Sequence, residues 1–194
     1  MPDLEQRIRL AVSEPLEIVP YDPGWPERFE LEKRFLLSRF ASTIRRIEHF
    51  GSTAVPGMAA KPVIDMLVGV SYLDEVKRHI VPHLAEEGYD YFWRPTAGSD
   101  TPPWYAWFIK RNGGGIRTHH IHMVEPDFRE HWKRLLFRDY LRSHPQTAAE
   151  YESLKRELAA KYSSDRAAYS EGKAPFIMRI GALMEREDES SRNE

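Results

Sequence analysis

The stretch Ile47 to Val70, IEHFGSTAVPGMAAKPVIDMLVGV, joins a turn suited to anionic oxygens to a strand carrying one carboxylate out of pattern. A strand is expected to end at Phe50, Gly51-Ser52 turns the backbone, and a small-residue segment leads to a second strand from Val63 to Val70. On that strand Ile64, Met66, Val68 and Val70 share one face by the two-residue period, so Asp65 must point to the other. Its carboxylate is presented rather than packed. The Gly-Ser turn brings backbone N–H groups and a hydroxyl within reach of an anionic oxygen. The competing reading is a turn glycine with a capping serine, and an aspartate bonded to local backbone.

The same parity applies to Arg117-Thr118-His119-His120-Ile121-His122-Met123-Val124-Glu125. If Ile121 and Met123 face the core, His120 and His122 turn the other way, onto the kind of face that Asp65 occupies. Two histidines at this spacing share a metal or grip a phosphate; the alternative is a pair of ordinary hydrogen-bonded strand histidines. His119 and Glu125 fall on the Ile121 side. Trp25, Trp93, Trp104 and Trp107 are the aromatics available to stack a base, although core or rim packing is the commoner use of so large a ring.

A chain of 194 residues with 41% hydrophobic content supports one full core. The net charge of −2 supplies no general basic field, so general nucleic-acid binding is not expected. There is no cysteine, which excludes disulfides, thiolate metal sites and cysteine nucleophiles. No apolar run reaches the length of a membrane span and the N-terminus lacks a signal-peptide core, so the expectation is a soluble cytoplasmic protein.

Along the chain the expected order is an N-terminal arm over residues 1–17, one domain over 18–184 and a charged, fraying tail over 185–194. A helix opens at Pro26 and runs to about Ala41, with Phe29, Leu36 and Phe40 on its inner line and Glu, Lys and Arg elsewhere. A second helix starts near Leu73, kinks at Pro82 and stops at Gly88. Tyr89 to Arg94, Trp104 to Arg111 and Arg117 to Glu125 read as antiparallel strands, separated by TAGSDTPP and NGGGI. Helical segments follow, split at His144-Pro145, and Pro175 opens the last.

The run HFGSTAVPGMAAKPVIDMLV resembles the GrpB family, as do IVPYDPGWP at Ile18, HHIHMVEP at His119, FRDYLRSHP at Phe137, and Tyr169, Lys173, Phe176 and Ile177. The resemblance implies an α+β fold: a nucleotidyltransferase-like mixed β-sheet of about five strands, helices on one face and a C-terminal helical group. The family's domain also occurs fused to dephospho-coenzyme A kinase. The expected ligand is a nucleotide or other phosphorylated small molecule, and the expected chemistry is nucleotidyl transfer with Mg²⁺ or another divalent metal. In that scheme Gly51 and Ser52 hold outer phosphates, Asp65 carries the metal, and His120 and His122 complete its shell or act as acid or base. Lys61, Lys110, Arg111 and Arg117 offset phosphate charge, with Lys173 a weaker candidate. Where active members of that superfamily alternate two acidic residues, Val63 and Leu67 stand two positions either side of Asp65. Two alternatives therefore stay open: a non-catalytic ligand-binding or partner module related to coenzyme A metabolism, and a His/Asp metal-dependent hydrolase. No Walker A loop is present.

Overall fold

The computed structural model describes residues 14–95 and 102–192. Most of the expected N-terminal arm, residues 96–101 of the TAGSDTPP loop and the last two residues of the tail lie outside them. The chain groups into two compact units: residues 22–54 with 63–135, and residues 1–21 with 55–62 and 136–194.

The first unit is built on one five-stranded sheet in the order β1-β2-β5-β4-β3. The strands are β1 Ile44–Phe50, β2 Ile64–Val70, β3 Asp90–Pro95, β4 Trp104–Arg111 and β5 Arg117–Val124. Only the β2–β5 pairing is parallel; the others are antiparallel. The mixed sheet and the strand positions agree with the reading of the sequence to within a residue or two. Central β2 is buried along its whole length, as a strand covered on both faces must be.

On one face lies α1, Trp25–Phe40, with Phe29 stacked on His49 at 4.8 Å. Its buried stripe is Trp25, Phe29, Glu32, Leu36 and Phe40, which places a carboxylate where only apolar residues were expected. Glu32 is 2% exposed, accepts a hydrogen bond from the Tyr89 hydroxyl at 2.5 Å and pairs with Lys110. Burial, and then the neighbouring Glu32 carboxylate, push the Tyr89 hydroxyl above its ordinary pKa.

The helix expected from Leu73 is divided into an α-turn α2 Leu73–Glu75, a π-helical turn Val76–Ile80 and α3 Val81–Glu86. Pro82 has no N–H to give and its ring crowds the carbonyl four residues back, so the preceding turn widens. Gly88, at φ +82°, ends the segment as expected. Glu125 accepts a hydrogen bond from the Leu73 N–H at 2.7 Å, which accounts for its carboxylate as a helix-start partner.

Helix α4, Arg129–Ser143, belongs to the sheet unit as far as Leu135. Trp132 lies against the opposite face of the sheet, where a Cβ on Gly69 would sit 3.1 Å from its ring. Helical cover is therefore present on this face too.

The second unit contains α5 Pro145–Lys161, α6 Arg166–Gly172 and α7 Ala174–Arg192. Val55, Met58, Leu141 and Tyr151 form its core, with Phe137, Leu154 and Phe176 packed around them. The short α6 was not separated in the sequence; its signal is Asp165, whose side chain accepts from the N–H groups of Ala167 and Ala168. The last helix runs to Arg192, and EREDESSR contains no helix breaker. Among the described residues no helix is long and apolar enough to cross a membrane.

Candidate functional site

Strand register brings the out-of-pattern residues together. Phe50 pairs with Asp65 and Asp65 with His120; one step along, Leu67 pairs with His122 and His122 with Trp107. Directly paired residues share a face, so Asp65, His120, His122 and Trp107 project from the same side, while Ile121 and Met123 project towards the side of α1. The His120 ring lies with its Nδ1 2.9 Å from Asp65 Oδ1. Both partners are nearly buried.

Gly51 closes this group from above. Its φ of +73° is in the left-handed region, and a Cβ built on it would lie 2.6 Å from Asp65 Oδ2. The turn continues as a 3₁₀ segment Ser52–Ala54, fastened where Thr53 Oγ1 meets His49 Nε2 at 2.9 Å. Ser52 is half-buried at the head of that segment.

Arg117 reaches the same site through a β-bulge. Lys110 pairs with His119 but Arg111 pairs with Arg117, which leaves Thr118 as an extra residue on β5. Strict alternation would turn Arg117 with Ile121; the bulge turns it with His120 instead. Arg117, 4% exposed, has Nη1 3.2 Å from His120 Nε2. A guanidinium only donates, so Nε2 is the acceptor, and Nδ1–H donates to Asp65. The row Arg117, His120, Asp65 is a relay of donors ending on a carboxylate.

Arg134 and His131 carry no readable signal in the sequence, and Trp107 reads there only as an aromatic available to stack a base. Arg134, on α4, has Nη1 3.4 Å from His122 Nδ1 and its guanidinium 5.8 Å from the centre of the Phe50 ring. His131, one turn earlier, is fully buried against Tyr105 at 4.4 Å between ring centres. Trp107 has its ring 5.2 Å from that of His120 and 6.1 Å from that of His122, and Arg94 lies 4.7 Å over it. Burial, reinforced by the Arg134 charge, holds the His122 imidazole well below its usual pKa and lowers that of His131 to about 3. Both rings are neutral at physiological pH.

Lys110 and Arg111 are each paired with a carboxylate. Lys110 points to the α1 side and is engaged by Glu32; Arg111 donates to Asp90 Oδ2 at 2.9 Å and to the Gly115 carbonyl at 2.8 Å. Lys110 is a correction to the phosphate-binding set, because it lies on the opposite face of the sheet; Arg111 shares the face of Arg117, with its charge held by Asp90. Lys61 belongs to the helical unit, as does Lys173, which lies 4.4 Å over the Tyr169 ring.

The donor set does not fit a divalent cation. Mg²⁺ takes about six oxygen ligands and zinc needs about three or four acceptor atoms turned to one point. Among the described residues no three His, Cys, Asp or Glu gather to hold an ion. Asp65 Oδ1 faces an imidazole, and one nitrogen of each of His120 and His122 faces a guanidinium. Cationic side chains stand where the shared metal of Asp65, His120 and His122 was expected.

Asp65→Asn is expected to cost about 1–2 kcal/mol, because the charged acceptor of the His120 N–H becomes a neutral one. Urea denaturation measures it. An unchanged midpoint would show that the carboxylate does not hold the ring.

The five-stranded mixed sheet with its helices defines an α+β protein with a nucleotidyltransferase-like fold. The Cid1 poly(U) polymerase in its MgGTP-bound structure superposes with a TM-score of 0.50 at 19% identity, over 74% of this chain and 44% of Cid1, a likeness of fold alone. The GrpB protein family model matches residues 15–182, and the chain belongs to the GrpB family. The crystal structure of the conserved protein GrpB from Enterococcus faecalis superposes with a TM-score of 0.76 at 32% identity, covering 88% of this chain and 98% of that one. A UPF0157 protein of Pseudomonas aeruginosa is 38% identical over 177 residues, 90% of this chain and 70% of the relative. A dephospho-CoA kinase of Mycolicibacterium paratuberculosis is 28% identical over 188 residues, where the matched part is 46% of the kinase.

Proposed function

We propose that the protein binds a nucleotide or another phosphorylated small molecule on the sheet face that carries Asp65, His120 and His122, and does so as a ligand-binding module. The observation that carries this reading is the left-handed Gly51 turn lying directly over a single hydrogen-bonded carboxylate, with two guanidinium groups on the flanking histidines. The Gly51 turn places no side chain over the carboxylate, Ser52 adds a hydroxyl beside it, and Arg117 and Arg134 supply positive charge. The lone carboxylate favours binding over metal-dependent nucleotidyl transfer, since Val63 and Leu67 take the places of a second acid. The similarity to part of dephospho-CoA kinases makes coenzyme A precursors a reasonable class to test beside nucleotides.

The test is a thermal-shift panel of nucleotides and coenzyme A precursors, followed by calorimetry and product analysis on each hit. The expected result is saturable binding that leaves the ligand chemically unchanged. Turnover of a nucleotide would overturn the module reading, and the absence of any binder would overturn the binding reading.

A further inference from the structure

Among the described residues Arg134 is in no salt bridge. The Arg134 residue is partly exposed, and its guanidinium meets the neutral imidazole of His122 and the ring of Phe50. Asp65, whose charge does act on Arg134, is held by the His120 N–H. Desolvation lowers the pKa of Arg134, the direction expected for a cation kept from water without an anion beside it. Such groups are costly unless something pairs with them.

A second observation points the same way. The indole Nε1–H of Trp107 is buried without a hydrogen-bond partner, and so are both ring nitrogens of His131. These rings lie 6.1 Å and 6.0 Å from that of His122, centre to centre. With His122 Nδ1 accepting from Arg134, its Nε2 carries the proton and is another donor. The surroundings of His122 thus offer one full positive charge and several N–H groups, while Asp65, the carboxylate whose charge reaches them, is already bonded to His120. A metal ion requires the reverse; an oxyanion, which has lone pairs and no hydrogens, matches.

We propose that this cluster grips the phosphate group of the ligand directly, through Arg134 and the N–H groups of Trp107 and His122, with no divalent cation between protein and phosphate. The proposal rests on the binding reading above and adds to it the mode of recognition. Arg134 is then a recognition residue kept at some expense in stability.

Calorimetric titration of the full chain with pyrophosphate, in excess EDTA and again in excess Mg²⁺, tests this. The expected affinity is the same or tighter in EDTA. Arg134→Ala should weaken it about tenfold or more, as loss of a charge-assisted contact does, while melting no lower than the wild type because an unpaired desolvated charge has gone. A purely structural arginine would show the opposite pattern. Trp107→Phe keeps an aromatic ring while removing the N–H donor, and should weaken binding several-fold; it also serves if Arg134→Ala does not fold. Binding that needs Mg²⁺, or that survives Arg134→Ala unchanged, overturns the proposal and leaves the binding reading standing. Pyrophosphate failing in both buffers while a nucleotide binds overturns it too. If no phosphorylated probe binds in either buffer, the binding reading falls and takes this proposal with it.

Discussion

Replacing Gly51 by valine should destabilise the protein by about 3 kcal/mol or more, and ligand binding should be lost with the turn. Two costs combine. The backbone at Gly51 has φ +73°, a region that a β-branched residue adopts only under strain. The new Cβ would also lie 2.6 Å from Asp65 Oδ2 and 3.1 Å from Asp65 Cβ, inside contact distance of a residue in central β2. Asp65 cannot swing aside cheaply, because His120 holds its other oxygen. Gly51→Ala keeps most of the clash and less of the strain, so it should fall between the two. Urea denaturation of the three proteins measures the series. A valine variant within about 0.5 kcal/mol of wild type would show that the turn does not press on Asp65.

Lys155→Met should invert its effect on stability between acid and alkaline solution. In the helical unit Lys155 is 2% exposed and its ammonium donates to the Ala59 carbonyl, while Glu152 accepts from the Ala59 N–H at 2.8 Å. The two side chains hold both polar groups of one residue in the 55–62 segment. Burial lowers the pKa of Lys155 to about 7; Glu152 opposes the shift, and Lys173, Arg156 and Lys61 add to it. Between about pH 7 and the ordinary lysine value of 10.5 the unfolded chain holds a proton that the folded chain has released. Wild-type stability therefore rises with pH across that window, by at most ~1.4 kcal/mol per unit, and the penalty is fully present below it. Methionine keeps the stem and removes the proton. Near pH 6 the variant should be the more stable by roughly a few kcal/mol; near pH 10 it should be the less stable by about 1–3 kcal/mol, having lost the bond to Ala59. Denaturant midpoints across pH decide it, and parallel curves for the two proteins would refute the buried-amine assignment.

Much of the sheet is a local property. Alternation in Ile64, Met66, Val68 and Val70 leaves Asp65 no choice of face, and Ile121 and Met123 do the same for His120 and His122, because side chains on a strand change sides at every residue. Gly51, Gly88 and Pro82 mark their turns and the widened helix through backbone restrictions that each residue carries by itself. These features needed no knowledge of neighbours.

Which strands become neighbours was a different matter. Asp65 and His120 are 55 residues apart, and nothing in either segment states that β2 and β5 will pair in parallel with these two in register. Periodicity gives a face; it does not give a partner. The bulge at Thr118 reversed the side of Arg117, and the approach of α4 brought Arg134 and His131 to a site assembled from strands. Charges were least legible of all. Lys110, Arg111 and Arg134 look alike in the sequence, yet the first two meet Glu32 and Asp90 while the third meets a neutral ring and a phenyl group. Whether a cation is free to take a ligand depends on which carboxylates the tertiary fold sets within a few ångströms of it, since Coulomb attraction between side chains falls with a distance that chain separation does not encode.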